Sequence, residues 1–135
     1  MQDVIKTIFG FLGTAFIYLL GGLDVALQAL LVAIVLDYIT GLSKSYVNRK
    51  LDSRIGFNGI VKKLCLLCLV ALSVVIDNVA GNTGLIRTTI IYYLVANEGL
   101  SIIENLSEMN IIVPEFLKSK LKKMQETGGI ENGQK

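Results

Sequence analysis

The sequence predicts an all-α integral membrane protein. It calls for four transmembrane helices followed by a short amphipathic C-terminal helix, with three crossings plus a surface-lying helix as the alternative. Three observations carry this. Of 135 residues, 53% are hydrophobic and only 18% are charged, a balance more apolar than soluble domains of this size usually show. Mean hydropathy is +0.61. Finally, the apolar residues gather into long stretches separated by glycine, asparagine and charged residues, and two basic blocks flank those stretches.

The first stretch, VIKTIFGFLGTAFIYLLGGL (4–23), is interrupted only by Lys6. As a helix it would extend ~30 Å, about one hydrocarbon thickness. A cleaved signal peptide is the rival, but a cut after Gly22 puts Leu20 where a small residue is expected, so a retained helix is favoured. Gly21, Gly22 and Asp24 break the run. VALQALLVAIVL follows and reaches spanning length only by continuing through DYITGL to Leu42. A third stretch runs from about Phe57 to Ala80, with Lys62 and Lys63 able to snorkel. AGNTG (80–84) reads as a tight turn, and a fourth stretch runs from Leu85 to about Asn105. GGLD and GFNG read as turn material, not nucleotide sites. Pro114 opens PEFLKSKLKKMQ, with Leu117, Leu121 and Met124 on one side, and the end, GGIENGQK, reads as disordered. The chain thus divides into a transmembrane part, 1–110, and a basic amphipathic cytoplasmic tail, 111–135.

Net charge is only +2, but its distribution is informative. Lys44, Arg49, Lys50, Arg54, Lys62 and Lys63 form one block; Lys118, Lys120, Lys122 and Lys123 form another. Because the blocks flank apolar stretches, they are topology signals rather than a nucleic-acid surface. Both belong on the cytoplasmic side, with an even number of crossings between them and the C-terminus inside.

Several charges fall within the apolar stretches. Asp77 and Arg87 flank the 80–84 turn at nearly equal depth, which predicts an intramembrane ion pair. Glu98 lies about three turns beyond Arg87 on the same face. Asn97, Ser101, Glu104, Asn105 and Glu108 extend a polar stripe toward the cytoplasm. On the second helix Ala26, Ala29 and Ala33 offer close packing, with Asp37 and Thr40 on the same arc. Asp37 and Glu98 at one depth need cations, shared protons or water. Lysines of the same chain are one source, which would leave a stable monomer; other copies or a water-filled lumen are the other, favoured because intramembrane ionisable groups are functional candidates by default. Cys65 and Cys68 form a lone CxxC inside LCLLCLVAL and read as small apolar packing residues. With no histidine, metal cluster, GxSxG or phosphate-binding loop, neither an enzyme nor a cofactor is expected.

LDYITGL (36–42), SRIGFNGIVKK (53–63), NEGLSIIEN (97–105) and IIVPEFLKSKLKKM (111–124), in this order, resemble the toxin-secretion/phage-lysis holin family over roughly residues 30–125. The matching positions are Asp37 and Gly41; Gly56, Gly59, Lys62 and Lys63; Ser101, Ile102, Glu104 and Asn105; and Pro114. Asn110 departs from the pattern where glycine is expected, implying a less sharp turn, and the first twenty-five residues match poorly. The resemblance implies a homo-oligomer in the bacterial cytoplasmic membrane that opens lesions at a set time. Endolysin or toxin then escapes without needing direct contact with it. A small ion or proton transporter using Asp37 and Glu98 is the alternative, and a scaffold subunit of a larger membrane complex a third.

Overall fold

The computed structural model describes residues 1–128. Its five helices are α1 (Gln2–Leu19), α2 (Val25–Val47), α3 (Ser53–Val79), α4 (Leu85–Glu108) and α5 (Glu115–Gly128), with no strand among the described residues. Residues 129–135, most of the GGIENGQK end, lie outside the described part. Two helices, α2 and α3, are long and apolar enough to cross a membrane.

Each boundary has a local cause. The Asp24 carboxylate accepts from the Leu27 amide at 2.9 Å and caps α2. Asp52 caps α3 through the Arg54 amide at 2.9 Å. The Asp77 carboxylate reaches across the 80–84 turn and accepts from the amides of Ile86 (3.1 Å) and Arg87 (2.7 Å), satisfying donors that the start of α4 leaves free. Asn110 ends the α4 exit with φ of +61°, the left-handed conformation that asparagine adopts most readily after glycine. The turn expected to be less sharp is therefore a left-handed cap.

GFNG (56–59) is not turn material: it lies inside α3. Its glycines clear room for the Tyr38 ring of α2, since a Cβ at Gly59 would sit 3.3 Å from that ring. α3 thus begins four residues before the apolar stretch, with Asp52 rather than hydropathy setting its start.

The most polar of the three long helices, α4, is central. It packs against α2, α3 and α5, whereas α2 and α3 touch each other little. Leu27, Leu30 and Ile34 of α2, Val70 of α3, and Ile91 and Leu94 of α4 form a continuous core with Leu20. The contact face of α2 therefore runs through large aliphatic side chains. Of the expected small-residue face, Ala26 and Ala33 are half-buried and Ala29 is exposed; interdigitating Leu27, Leu30 and Ile34 fill the groove better than alanine does. The outer faces of α2 and α3 remain apolar and exposed. Cys65 and Cys68 are free and exposed on that outer face, not packed inside. α1 buries no residue at all.

Candidate functional site

Two polar clusters lie along α4. The first closes the end formed by the Gly21–Asp24 and 80–84 turns. Arg87 is 8% exposed. Its Nε donates to the Leu20 carbonyl (2.6 Å), Nη1 to the Asp24 carboxylate (2.7 Å) and Nη2 to the Gly22 carbonyl (3.0 Å). The ion pair expected between Asp77 and Arg87 is therefore redirected. Asp77 meets Arg87 at its backbone amide, and the guanidinium pairs with Asp24. The reason is geometric: Asp77 is spent capping α4, while the planar guanidinium spans the carbonyls and carboxylate of the Gly21–Asp24 turn. Gly21 has φ of +82°, and a Cβ there would lie 2.6 Å from Arg87 Nε, so both the turn and the clasp require glycine. The Arg87 hydrogen bond holds the Asp24 carboxyl below its ordinary value of 3.8, against partial desolvation.

The second cluster lies about three turns further along α4. The Lys63 ammonium donates to both Asp37 and Glu98, joining α2, α3 and α4 at one point. Glu98 is 3% exposed and Asp37 8%. Asn105 donates to Asp37 Oδ1 and Thr40 Oγ1, each at 3.1 Å, and lies beside Gly41. Of the two sources open to these carboxylates, a lysine of the same chain is the one this fold uses. One carboxylate remains in formal excess: Asp37 and Glu98 share a single ammonium. A cavity of about 210 Å³, lined by Asp37, Gly41, Lys44, Lys63, Ser101 and Asn105 among others, opens beside the cluster.

The stripe read as one face of α4 divides into two. Glu98 and Asn105 continue the buried line of Arg87, Ile91 and Leu94. Asn97 and Glu104 turn instead toward α5, with Ser101 bordering the cavities on both sides. Positions 97 and 98 differ by about 100° around a helix, enough to send adjacent side chains to different neighbours. Gln125 of α5 donates to Asn97 at 3.3 Å, and a cavity of about 880 Å³ lies between α4 and α5, bordered by Glu104, Glu108, Lys118 and Lys122.

The basic residues are more peripheral. Lys44 pairs with Glu108 at 3.4 Å, tying α2 to the end of α4. Arg49, Lys50, Arg54 and Lys62 are exposed. Pro114 precedes α5, its carbonyl accepting from the Leu117 amide at 3.0 Å. Lys120 and Lys123 are exposed, with Lys120 5.8 Å from the Phe116 ring centroid. The residue that pattern reading missed is Asp24, taken as punctuation. Its place beside the same turn as Arg87 was the available signal.

The sequence profile of the bacteriophage holin family matches residues 14–126, which covers α2 to α4 entirely and most of α5. The chain belongs to the bacteriophage holin family. Among its relatives is a probable holin of Bacillus phage phi105, 32% identical over 95 residues, or 70% of each chain. An uncharacterised 14.9 kDa protein in the nagH 3′ region of Clostridium perfringens is 41% identical, covering 84% of this chain and 86% of that one. An uncharacterised protein of Listeria innocua is 42% identical, covering 88% and 85%. No solved structure matches. Membership of this holin family and the two apolar helices point to a membrane location.

Proposed function

We infer that this holin accumulates in the bacterial cytoplasmic membrane as closed monomers or small oligomers and then assembles into lesions. Endolysin, or in some settings a toxin, passes through without direct contact with the holin. One observation carries the reading: within a bundle whose outer faces are apolar, three helices enclose Asp37, Lys63, Glu98 and Asn105. Lipid cannot satisfy such groups. Parting the helices therefore requires other copies, or a wet lumen, to replace the lost partners. The closed fold is favoured when copies are few, and assembly by mass action when they are many. The formal carboxylate excess biases the cluster toward water or a proton, so the closed state is poised rather than locked. α2, α3 and α4 are the crossings, with both basic blocks inside.

The excess carboxylate beside an open cavity also favours the transporter reading, and solute size separates the two. Vesicles containing only this protein should release dextran-sized markers, and expression alone should stop respiration and free a cytosolic reporter. Glu98→Gln and Asp37→Asn should shift the onset of release. Flux limited to protons or metal ions, and slowed in both variants, would establish the transporter instead.

A further inference from the structure

α5 does not project from the bundle. It folds back along α4, with Leu121 against Gly99, where a Cβ would lie 2.9 Å from Leu121 Cδ2, and with Gly128 against the Tyr93 backbone. This seat places Lys120 and Lys123 about level with Gly99, ~14 Å from the inner end of α4, along a cavity that extends to Thr89 and Tyr92. In a monomer whose α4 crosses the bilayer, those ammonium groups would stand deep in hydrocarbon, where lysine is expensive. The seam is close at its glycines but sparsely hydrogen-bonded. α5 buries no residue, contributes one side-chain hydrogen bond to α4, and leaves the large polar cavity between them. Its four lysines against two glutamates, with Phe116 and Leu117 exposed, form a cationic amphipathic surface of the kind that binds anionic headgroups.

We propose that α5 is a displaceable cover on the self-association face of α4. Its second seat is the anionic inner surface of the bilayer, and its departure opens the Gly99 groove of α4, with Asn97 and Glu104 at its edge, to a second copy of this chain. Residues 109–114, between α4 and α5, carry the swing, starting at the left-handed Asn110. The groove vacated at Gly99 has no side chain of its own, so a helix of another copy approaches closely there. The polar edge supplied by Asn97 and Glu104 then finds partners that lipid cannot give.

The test places cysteines in the seam, Gly99→Cys with Leu121→Cys, in a full-length chain whose exposed Cys65 and Cys68 are changed to serine. Disulfide formation reports α5 on α4. Its yield should fall about tenfold when neutral phosphatidylcholine vesicles are replaced by vesicles rich in phosphatidylglycerol, and high salt should restore it. Oxidation before reconstitution should abolish energy transfer between labelled copies, and reduction should return it, which separates locking from misfolding. Asn97→Cys with Gln125→Cys repeats the test without touching Gly99. Equal disulfide yields in both vesicles, or a locked chain that associates as readily as the reduced one, would overturn the proposal. It rests on α4 as a crossing, not on lesion formation: if α5 moves and copies associate while vesicles stay sealed, only the lesion reading fails.

Discussion

Lys63 is the one cation shared by two buried carboxylates, and that unequal count makes its neighbours behave unequally. Removing the lysine strands two charges, whereas neutralising one carboxylate leaves a balanced pair. Lys63→Met should destabilise the bundle by about 3–5 kcal/mol, read as loss of protease-resistant protein in detergent. Glu98→Gln, whose amide oxygen still accepts from Lys63, should leave the bundle at least as stable, with a change of about 1 kcal/mol or less. Equal losses in the two variants would mean that the cluster's charge balance does not matter. Asp24 gives the pH counterpart on the water side of α2. Its folded carboxyl titrates below the ordinary value because Arg87 favours the ionised form. The stabilisation is thus complete above that ordinary value and disappears as pH falls through the lowered one. Acid should therefore lower the amide protection factors around Leu20–Asp24, measured against intrinsic exchange at each pH, and Asp24→Asn should show low protection at every pH. The sequence shows Asp37, Lys63 and Glu98 as neighbours in depth, but lysine reach is a rotamer matter that only the three-helix packing decides. Asp24 stayed hidden because a helix-capping aspartate looks the same whether or not an arginine lies across the turn.

At the scale of elements, hydropathy makes α2 and α3 plain, while α4 shows only as a stretch with misplaced charges. Those charges are the sign of its central position, because only a helix covered by others can hold Arg87, Glu98 and Asn105 away from lipid. The seat of α5 was not legible. Leu117, Leu121 and Met124 announce an apolar face that needs a partner, yet nothing in their spacing names α4; Gly99, a glycine in mid-helix, was the faint mark. α1 is the reverse case, an apolar segment that buries no residue against the bundle. Asp3, Lys6, Thr7, Gly10 and Thr14 line one side of it, and Ile5, Ile8, Leu12, Phe16 and Leu19 the other, all exposed. Such a helix suits the interface better than the hydrocarbon core, which favours three crossings and an outer N-terminus. A single cysteine from Lys6→Cys, in the chain lacking Cys65 and Cys68, should then react with a membrane-impermeant maleimide added to intact cells without an outer membrane. Labelling only after permeabilisation would make α1 the fourth crossing.

For the whole molecule, the proposed assembly sets the closed bundle and the assembled state in competition for the same polar groups, and this would fix how permeability depends on amount. An isolated chain has its carboxylates held by Lys63, its α4 start held by Asp77 and its first turn clasped by Arg87. Among the described residues, no buried side-chain polar atom lacks a partner. Opening a single chain would expose these groups to lipid with nothing to replace them. On the proposed reading, copies that open together would replace them for one another, so the free energy of opening would fall only through association. Marker release from vesicles should accordingly rise with a steep power of the protein-to-lipid ratio, staying near zero below a threshold. Glu98→Gln, by removing the excess charge that destabilises the closed cluster, should raise that threshold. A transporter of fixed small size makes the opposite demand: each unit conducts alone, so flux grows in simple proportion to the number of units. Proportional release that persists at high dilution without a threshold, and that Glu98→Gln slows, would show that the enclosed charges serve conduction through the closed bundle and not its disassembly.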